Sequence, residues 1–326
     1  MKASENALFA PRPAYRWSPP DFDLPLGLAT GANLPDGVHI SYNLKEKTAD
    51  SVALDFLTEK GDMIISYSNK RDRKGKSVKE SAEFYPNPEE KRADVVTTGE
   101  GMNRFVWNMR YPDAVEVPGA LSWGGSVIGP KAPPGKYQVR LTIAGKVVAT
   151  QPFEIRKDPR VEATEADFAA QFDLLQKINV KVTETHKAIN SLRDVKKQVS
   201  ASVERLSPDA DKPTAKGTAL KEASKPLLDS LNAVENELIQ TKIKSSQDML
   251  NFPVRVNNKM MSLGSMVAGS DNRPTKQMLD MFMDLSARIE VQILRLKQML
   301  NDGLPKFNKA AVEQGSVPVQ MEEKQP

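Results

Sequence analysis

Apolar and polar residues follow two different periods along the chain. In the first half, short runs alternate apolar and polar side chains, which is typical of strands that have one wet face. Turn signals such as residues 58–62 (TEKGD) and 144–146 (AGK) separate neighbouring runs. The strand-like runs are 38–44, 52–57, 63–67, 103–109, 137–143 and 147–155. Short strands at this spacing predict an antiparallel β-sandwich of immunoglobulin type.

In the second half, apolar residues recur at steps of three and four, the period of amphipathic helices. The pattern predicts a long first helix that begins after Thr164, an N-cap candidate with Asp167 three positions later. Further helices are expected over 218–250, in a short segment that ends near 267, and over 275–307. Because the connecting loops are short, we expect an antiparallel up-and-down helical bundle.

Composition changes at the same place as the periodicity. The first 159 residues hold 15 of the 23 Pro and 13 of the 18 Gly, and all of the Tyr and Trp lie before position 138. Turn-forming and aromatic residues suit a sheet domain better than helices. We therefore expect an α+β chain of several domains. They are an extended Pro-rich arm over 1–35, the sandwich over 36–159, a bundle of three long helices and one short helix over 160–311, and a flexible tail over 312–326.

Charge and residue usage exclude several classes of function. The net charge of +4 is a small excess over 46 basic and 42 acidic residues, which disfavours nucleic-acid binding. The chain has no Cys, so disulfides, thiolate zinc sites and cysteine nucleophiles are excluded. With only His39 and His186, histidine metal sites and Ser–His triads are disfavoured, and we predict no catalytic, metal-binding or cofactor-binding residue. The chain has no run of about 20 apolar residues, so we expect no transmembrane segment. The N-terminus lacks the apolar core of a secretion signal.

A basic stretch over residues 69–76 (NKRDRKGK) is the first candidate contact site. Its side chains Arg71, Arg73 and Lys74 would suit a phosphate or an anionic glycan. The stretch lies between strand-like runs and contains a Gly, so we favour a solvated hairpin tip over a binding site.

The second candidate is Trp123, which precedes Gly124 and Gly125. This position is typical of an open loop, where an aromatic ring can contact a partner or a sugar. Trp107, by contrast, alternates with Phe105 and Met109 in a strand-like run, and we expect it to lie in the core. The segment 124–131 (GGSVIGPK) has Pro130 where a phosphate-binding loop requires Lys, so we interpret it as a turn.

Several longer blocks resemble one group of proteins in order along the chain. The blocks are residues 8–16 (LFAPRPAYR), 34–37 (LPDG), 101–112 (GMNRFVWNMRYP), 129–137 (GPKAPPGKY), 157–160 (KDPR), 248–259 (DMLNFPVRVNNK), 271–275 (DNRPT) and 304–308 (LPKFN). They resemble the region after the propeller in bacterial exported proteins of the sortilin-like and neuraminidase-repeat β-propeller class, which are often labelled glycosyl hydrolases. The resemblance covers about residues 8–308.

The resemblance implies a sandwich and helical bundle without the propeller. No repeat of 40 to 50 residues is present, and a hydrolase label would belong to the propeller, so no catalytic residue is carried over. The resemblance also implies a periplasmic or extracellular location.

These observations favour a noncatalytic structural or interaction module. We expect it to dock to a protein partner, such as a propeller protein or a subunit of a membrane complex, without contacting nucleic acid. The alternative is an accessory part of a carbohydrate-active protein, in which Trp123 helps to hold a glycan. An independent hydrolase with an unrecognised site is the least favoured hypothesis.

Overall fold

The structure is a computed structural model that describes residues 5–17, 35–70, 95–209, 211–245 and 247–320. The described residues form two compact units. The sheet unit takes its residues from Met1–Pro112, Gly129–Asp173 and Asp271–Arg273. The helical unit takes its residues from Asp113–Ile128, Leu174–Ser270 and Pro274–Pro326. Each unit therefore combines segments that are distant in the sequence.

The described part of the sheet unit contains eight strands in two sheets. The strands are β1 Ala7–Leu8, β2 Ala14–Arg16, β3 Val38–Leu44, β4 Val52–Thr58, β5 Met63–Ser68, β6 Gly101–Trp107, β7 Gly135–Ile143 and β8 Lys146–Lys157. One sheet has the order β1-β3-β6 and is antiparallel throughout. The other has the order β2-β8-β7-β4-β5.

The five-stranded sheet corrects the expected fold class. Strand β2 pairs in parallel with β8, with Ala14 opposite Ile155 and Arg16 opposite Lys157, whereas the other pairs are antiparallel. The sheet is therefore mixed, and the prediction of an antiparallel immunoglobulin-like sandwich is wrong; the coarser α+β class remains. The error lies in residues 1–35, which were expected to form an arm although β1 and β2 belong to the sheets. Both strands are very short and Pro11 and Pro13 lie between them, so their sequence has no readable period.

Aromatic side chains fill the core of the sheet unit. Trp107 is fully buried and stacks on Phe56 with ring centroids 4.5 Å apart, which confirms its predicted core position. Tyr137 stacks on Phe153 at 5.8 Å on the neighbouring strands. Gly37, at φ 141°, lies so close to this cluster that an added Cβ would be 2.4 Å from the Trp107 carbonyl oxygen. The core therefore depends on both strand alternation and a glycine contact.

Four α-helices follow the strands within the described residues. They are α1 Glu165–Leu206, α2 Ala215–Leu238, α3 Val256–Ala268 and α4 Lys276–Glu313. Helix α1 begins as predicted, since Thr164 and Asp167 exchange side-chain and backbone hydrogen bonds in a reciprocal cap. The residues of α1 up to Asp173 belong to the sheet unit, and the remainder belongs to the helical unit.

The predicted second helix is too long. Helix α2 ends at Leu238, and the described residues in the rest of the predicted span form a single 3-10 turn, Asp248–Leu250. The Asp248 carboxylate accepts hydrogen bonds from the backbone N–H groups of Lys244 and Ser245, which holds this segment in a turn. The chain after Leu238 is therefore held in turns and does not continue the predicted helix.

The C-terminal residues of the described chain pack on the helical unit. Asn308 on α4 bonds both the backbone N–H and the carbonyl of Val319, at 2.8 and 2.9 Å, and Val319 is buried. Val319 belongs to the 312–326 segment that was expected to be a flexible tail. Residues 321–326 of that segment lie outside the described part. None of the described helices has an apolar stretch that would cross a bilayer.

Candidate interaction surface

The segment that links β6 to β7 carries the predicted contact residue Trp123. Residues 113–128, called here the Trp123 loop, belong to the helical unit although both flanking strands belong to the sheet unit. The Ala114 N–H donates to the Val127 carbonyl at 2.8 Å and closes the base of the loop. Ala114 and Val117 are buried in the core of the helical unit. The loop is therefore an integral part of that core.

One face of α1 holds the first half of the loop. Three side chains spaced four and three residues apart donate hydrogen bonds to loop carbonyls. The pairs are His186 Nδ1 with Val115, Asn190 with Glu116 at 2.9 Å and Arg193 with Pro118 at 3.3 Å. These bonds satisfy carbonyl groups that a loop cannot pair with itself, and they fix its path along the helix.

His186 makes this attachment sensitive to pH. Its side chain is buried, and burial lowers its pKa below the usual value, against the opposing contributions of the Val115 carbonyl and Asn257. The neutral ring can still donate through Nδ1 to Val115. The structure therefore gives His186 an anchoring role, in which the neutral form is the stable one.

Helix α3 holds the second half of the loop at Trp123 itself. The Trp123 N–H donates to Asn258 Oδ1 at 2.8 Å, and Asn258 Nδ2 donates to the Trp123 carbonyl at 2.9 Å. Ser262 Oγ donates to the same carbonyl at 3.1 Å. Both backbone groups of Trp123 are thus bound by side chains one helical turn apart.

Gly125 allows the loop to approach α3 this closely. A Cβ added at Gly125 would lie 2.6 Å from Met261 Cβ and 2.8 Å from the Ser262 nitrogen. The preceding Gly124 has φ 64°, a conformation that glycine adopts without strain. Two consecutive glycines therefore have two different roles, which are a backbone turn and a close contact.

Trp123 remains 45% exposed while its backbone groups are bound. An aromatic ring on a fixed backbone can bury a large apolar area on binding, with little backbone entropy left to lose. Sequence reasoning identified Trp123 but not Asn258, Ser262 or His186, because single polar residues in a helix give no signal of a distant partner. The other predicted contact residues, Arg71, Arg73 and Lys74, lie outside the described residues.

A second group of charged residues lies in the sheet unit around Arg16. Its guanidinium contacts Asp271 at 3.0 Å and Gln171 Oε1 at 2.8 Å, and lies 4.9 Å from the centre of the Phe168 ring. Arg16 is buried, and burial lowers its pKa against the opposing effect of Asp271. This site joins β2 to the start of α1 and to the 271–273 segment. The contacts of Arg16 therefore explain how β2 is attached to the rest of the sheet unit.

Lys131 forms a similar pair in the same unit. Its Nζ donates to Asp36 Oδ2 at 3.0 Å and to the Trp17 carbonyl at 2.8 Å. Burial lowers the Lys131 pKa, and the Asp36 carboxylate opposes this shift. The pair therefore holds the chain on either side of residues 18–34, which are themselves outside the described part.

An open groove of about 470 Å³ lies between α2 and α4. Its lining includes Leu227, Met299 and Phe307 with Arg295, Asp302 and Lys306. At Gly303 the two helices are in close contact, since an added Cβ would lie 3.1 Å from Leu227 Cδ1. The groove is therefore explained by the packing of the two helices.

Comparison with known proteins adds no assignment to these sites. No protein-family model matches the chain, and neither a curated protein nor a solved structure matches it. The resemblance to the region after a β-propeller stays an expectation. Among the described residues, no group of three or more His, Asp or Glu side chains could hold a metal ion.

Proposed function

We propose that this protein is a noncatalytic interaction module that docks to a protein partner through the Trp123 loop. The observation that carries the proposal is the exposed Trp123 ring on a backbone that Asn258 and Ser262 hold in place. Tryptophan is enriched among the residues that dominate binding energy at interfaces. The ring would enter an apolar pocket of the partner.

Preorganisation supports this function energetically. A free loop would lose backbone entropy on binding, whereas this loop is already ordered by contacts with α1 and α3. Most of the apolar area that Trp123 buries can therefore contribute to affinity. The resemblance adds the context of an extracytoplasmic assembly, with a propeller protein or a membrane-complex subunit as the partner.

Carbohydrate binding is the second candidate function. The observation that favours it is the same exposed Trp123 on an ordered loop. A sugar would pack its apolar face on the indole. The two functions share one residue and differ in the ligand, so one variant tests both.

The test compares the full chain with Trp123→Ala in quantitative pull-down and cross-linking mass spectrometry from native extracts. Leu250→Ala is the matched control, because Leu250 is a 71% exposed apolar side chain elsewhere in the helical unit. We expect Trp123→Ala to lose the specific partner by at least about tenfold, and Leu250→Ala to retain it. Equal recovery of the same proteins by all three chains would refute the docking site.

A glycan array distinguishes the alternative. Glycan binding by the unmodified chain that is lost in Trp123→Ala, with thermal stability unchanged, would favour carbohydrate binding over protein docking. Glycoside hydrolysis by the purified chain is measured in parallel and tests the noncatalytic part of the proposal. Hydrolysis that a point substitution abolishes would overturn that part.

A further inference from the structure

We propose that two copies of this chain associate through an exposed apolar stripe on α4, with the two helices antiparallel. The stripe comprises Leu279, Met283, Ala287, Val291 and Leu294. Its four large side chains are between 45% and 60% exposed. This surface is separate from the Trp123 loop, so the inference goes beyond the proposed docking function.

The stripe is not the face that α4 turns to its own core. The core face carries Leu285, Ile289, Ile293 and Leu296, all of which are buried. Stripe residues recur every four positions from Leu279 to Val291, and Leu294 follows three positions later, so they lie on one side of the helix. Helix α4 therefore carries a second set of apolar side chains, with Glu290, which contacts Lys181 at 3.0 Å, at its edge, whereas a helix at the surface of a monomer needs only one apolar face.

The charges that flank the stripe are ordered along the helix. Asp280 and Asp284 lie in its N-terminal half, and Arg288 and Arg295 lie in its C-terminal half on the same flank. All four side chains are exposed at the surface. Within one chain, Asp284 contacts Arg288 at 3.5 Å, whereas Asp280 contacts Lys276 at 2.6 Å. The flank is therefore acidic at one end and basic at the other.

This order is complementary to itself only when one copy is reversed. In an antiparallel pair with a two-fold axis near Ala287, Met283 faces Val291 of the second copy and Leu279 faces the region of Leu294. The same flank of the two helices then meets, so that Asp280 approaches Arg295 and Asp284 approaches Arg288. A parallel pair with its two-fold axis along the helices would place opposite flanks together, so these Asp–Arg pairs would not form. The charge order therefore selects a second copy and also its direction.

The size of the stripe indicates a weak, reversible dimer. It spans 16 residues, which corresponds to about 24 Å of helix, and its large side chains are only half exposed. The buried area would fall below the roughly 1,200 Å² of a standard stable interface. We therefore expect association in the micromolar range, which is detected when the protein is concentrated.

Sedimentation velocity over about 1 to 300 µM full-length chain tests the proposal. We expect a concentration-dependent monomer–dimer equilibrium that the double variant Met283→Glu/Leu294→Glu weakens by at least about tenfold. Met281→Glu is the matched control, since Met281 is 49% exposed on the same helix but lies outside the stripe. It is expected to dimerise like the unmodified chain, as is Trp123→Ala.

Charge exchange tests the antiparallel direction. Asp280→Arg/Asp284→Arg makes the flank entirely basic, and Arg288→Asp/Arg295→Asp makes it entirely acidic. Each variant alone should associate less than the unmodified chain, and an equimolar mixture should form a heterodimer. Combining all four substitutions in one chain restores self-complementarity and should restore the dimer.

Three results would overturn the proposal. One is a monomer at every concentration, including the case in which a different protein binds the stripe. Another is a dimer that Met281→Glu disrupts as much as the stripe variant does. The third is equal association of the two charge variants alone and in their mixture. A loss of Trp123-dependent docking would leave these results unchanged, so the two proposals fail separately.

Discussion

His186 shows how one buried side chain sets a pH limit on stability. Its folded-state pKa is lowered by burial, while in the unfolded chain it is about 6.5. The unfolded state therefore binds the proton first, and stability falls as the pH decreases through about 6.5 toward the folded-state pKa. We expect unfolding monitored by circular dichroism to show a loss of up to about 1.4 kcal/mol per pH unit between pH 7 and pH 5.

The two histidines provide a matched pair for this experiment. His186→Gln keeps a donor for the Val115 carbonyl but cannot titrate, so it should flatten the pH dependence. His39→Gln should retain the dependence of the unmodified chain, because His39 lies in the sheet unit and its ring Nε2 bonds the Pro35 carbonyl at 3.0 Å in an exposed position. An unchanged slope in His186→Gln would contradict the assignment.

Gly125 tests the attachment of the Trp123 loop to α3. Gly125→Ala would place a Cβ against Met261 and the Ser262 backbone, so the loop must move away from the helix. We expect about 1–3 kcal/mol of destabilisation and faster chymotrypsin cleavage after Trp123. Gly99→Ala is the control, because its Cβ would lie 3.7 Å from Asn103, an ordinary contact. Identical cleavage rates in the two variants would exclude a close contact at Gly125.

At this scale the sequence predicts residues whose role is local. Thr164 and Asp167 form the expected cap because the two residues lie only three positions apart in the sequence. Trp107 is buried because strand alternation places it inward. Asn258 was not predicted, since its partner Trp123 is 135 positions away. Contacts over such separations follow from the fold and leave no pattern in the chain.

Strand β2 is an element that depends on a side-chain cluster for its place in the sheet. It has only three residues, and Arg16 at its end contacts Asp271 and Gln171. Arg16→Met keeps an apolar stem but leaves the Asp271 carboxylate and the Gln171 oxygen without this donor. We expect a loss of about 3 kcal/mol in the free energy of unfolding, which chemical denaturation would measure.

A double-mutant cycle separates this effect from simple loss of packing. Arg16→Met/Asp271→Asn should cost clearly less than the sum of the two single variants, because the second change removes the charge that the first leaves unpaired. Arg12→Met, on the exposed chain just before β2, is the matched control and should be close to neutral. Additive costs would show that Arg16 and Asp271 act independently.

The same strand explains why sheet topology was wrong while the helices were largely right. Helices α1, α3 and α4 carry their period over many residues, so their positions were predictable, apart from the end of α4. A three-residue strand next to Pro13 has no period, and its parallel pairing with β8 joins segments about 140 positions apart. The parallel pairing of β2 with β8, which makes the sheet mixed, could therefore not be predicted from composition or periodicity.

At the scale of the molecule, two cores are built from interleaved parts of one chain. The expected boundary at residue 159 separates sheet from helix by composition, yet the Trp123 loop lies before it and packs in the helical unit. Residues 271–273 lie after it and pack in the sheet unit through Asp271. Burial of a residue such as Val117 among the helices therefore decides which core it belongs to, and its position along the chain does not.

Val117→Asp tests this division in the full chain. The substitution places a carboxylate in the apolar core of the helical unit, so it should destabilise the helices that enclose the loop. We expect hydrogen–deuterium exchange to accelerate in α1 and α3, while β3, β4 and β7 keep their protection. Ile128→Asp is the matched control, because Ile128 is an exposed side chain of the same loop. Faster exchange that is confined to the strands would mean that the loop belongs to the sheet core, as its place in the sequence had suggested.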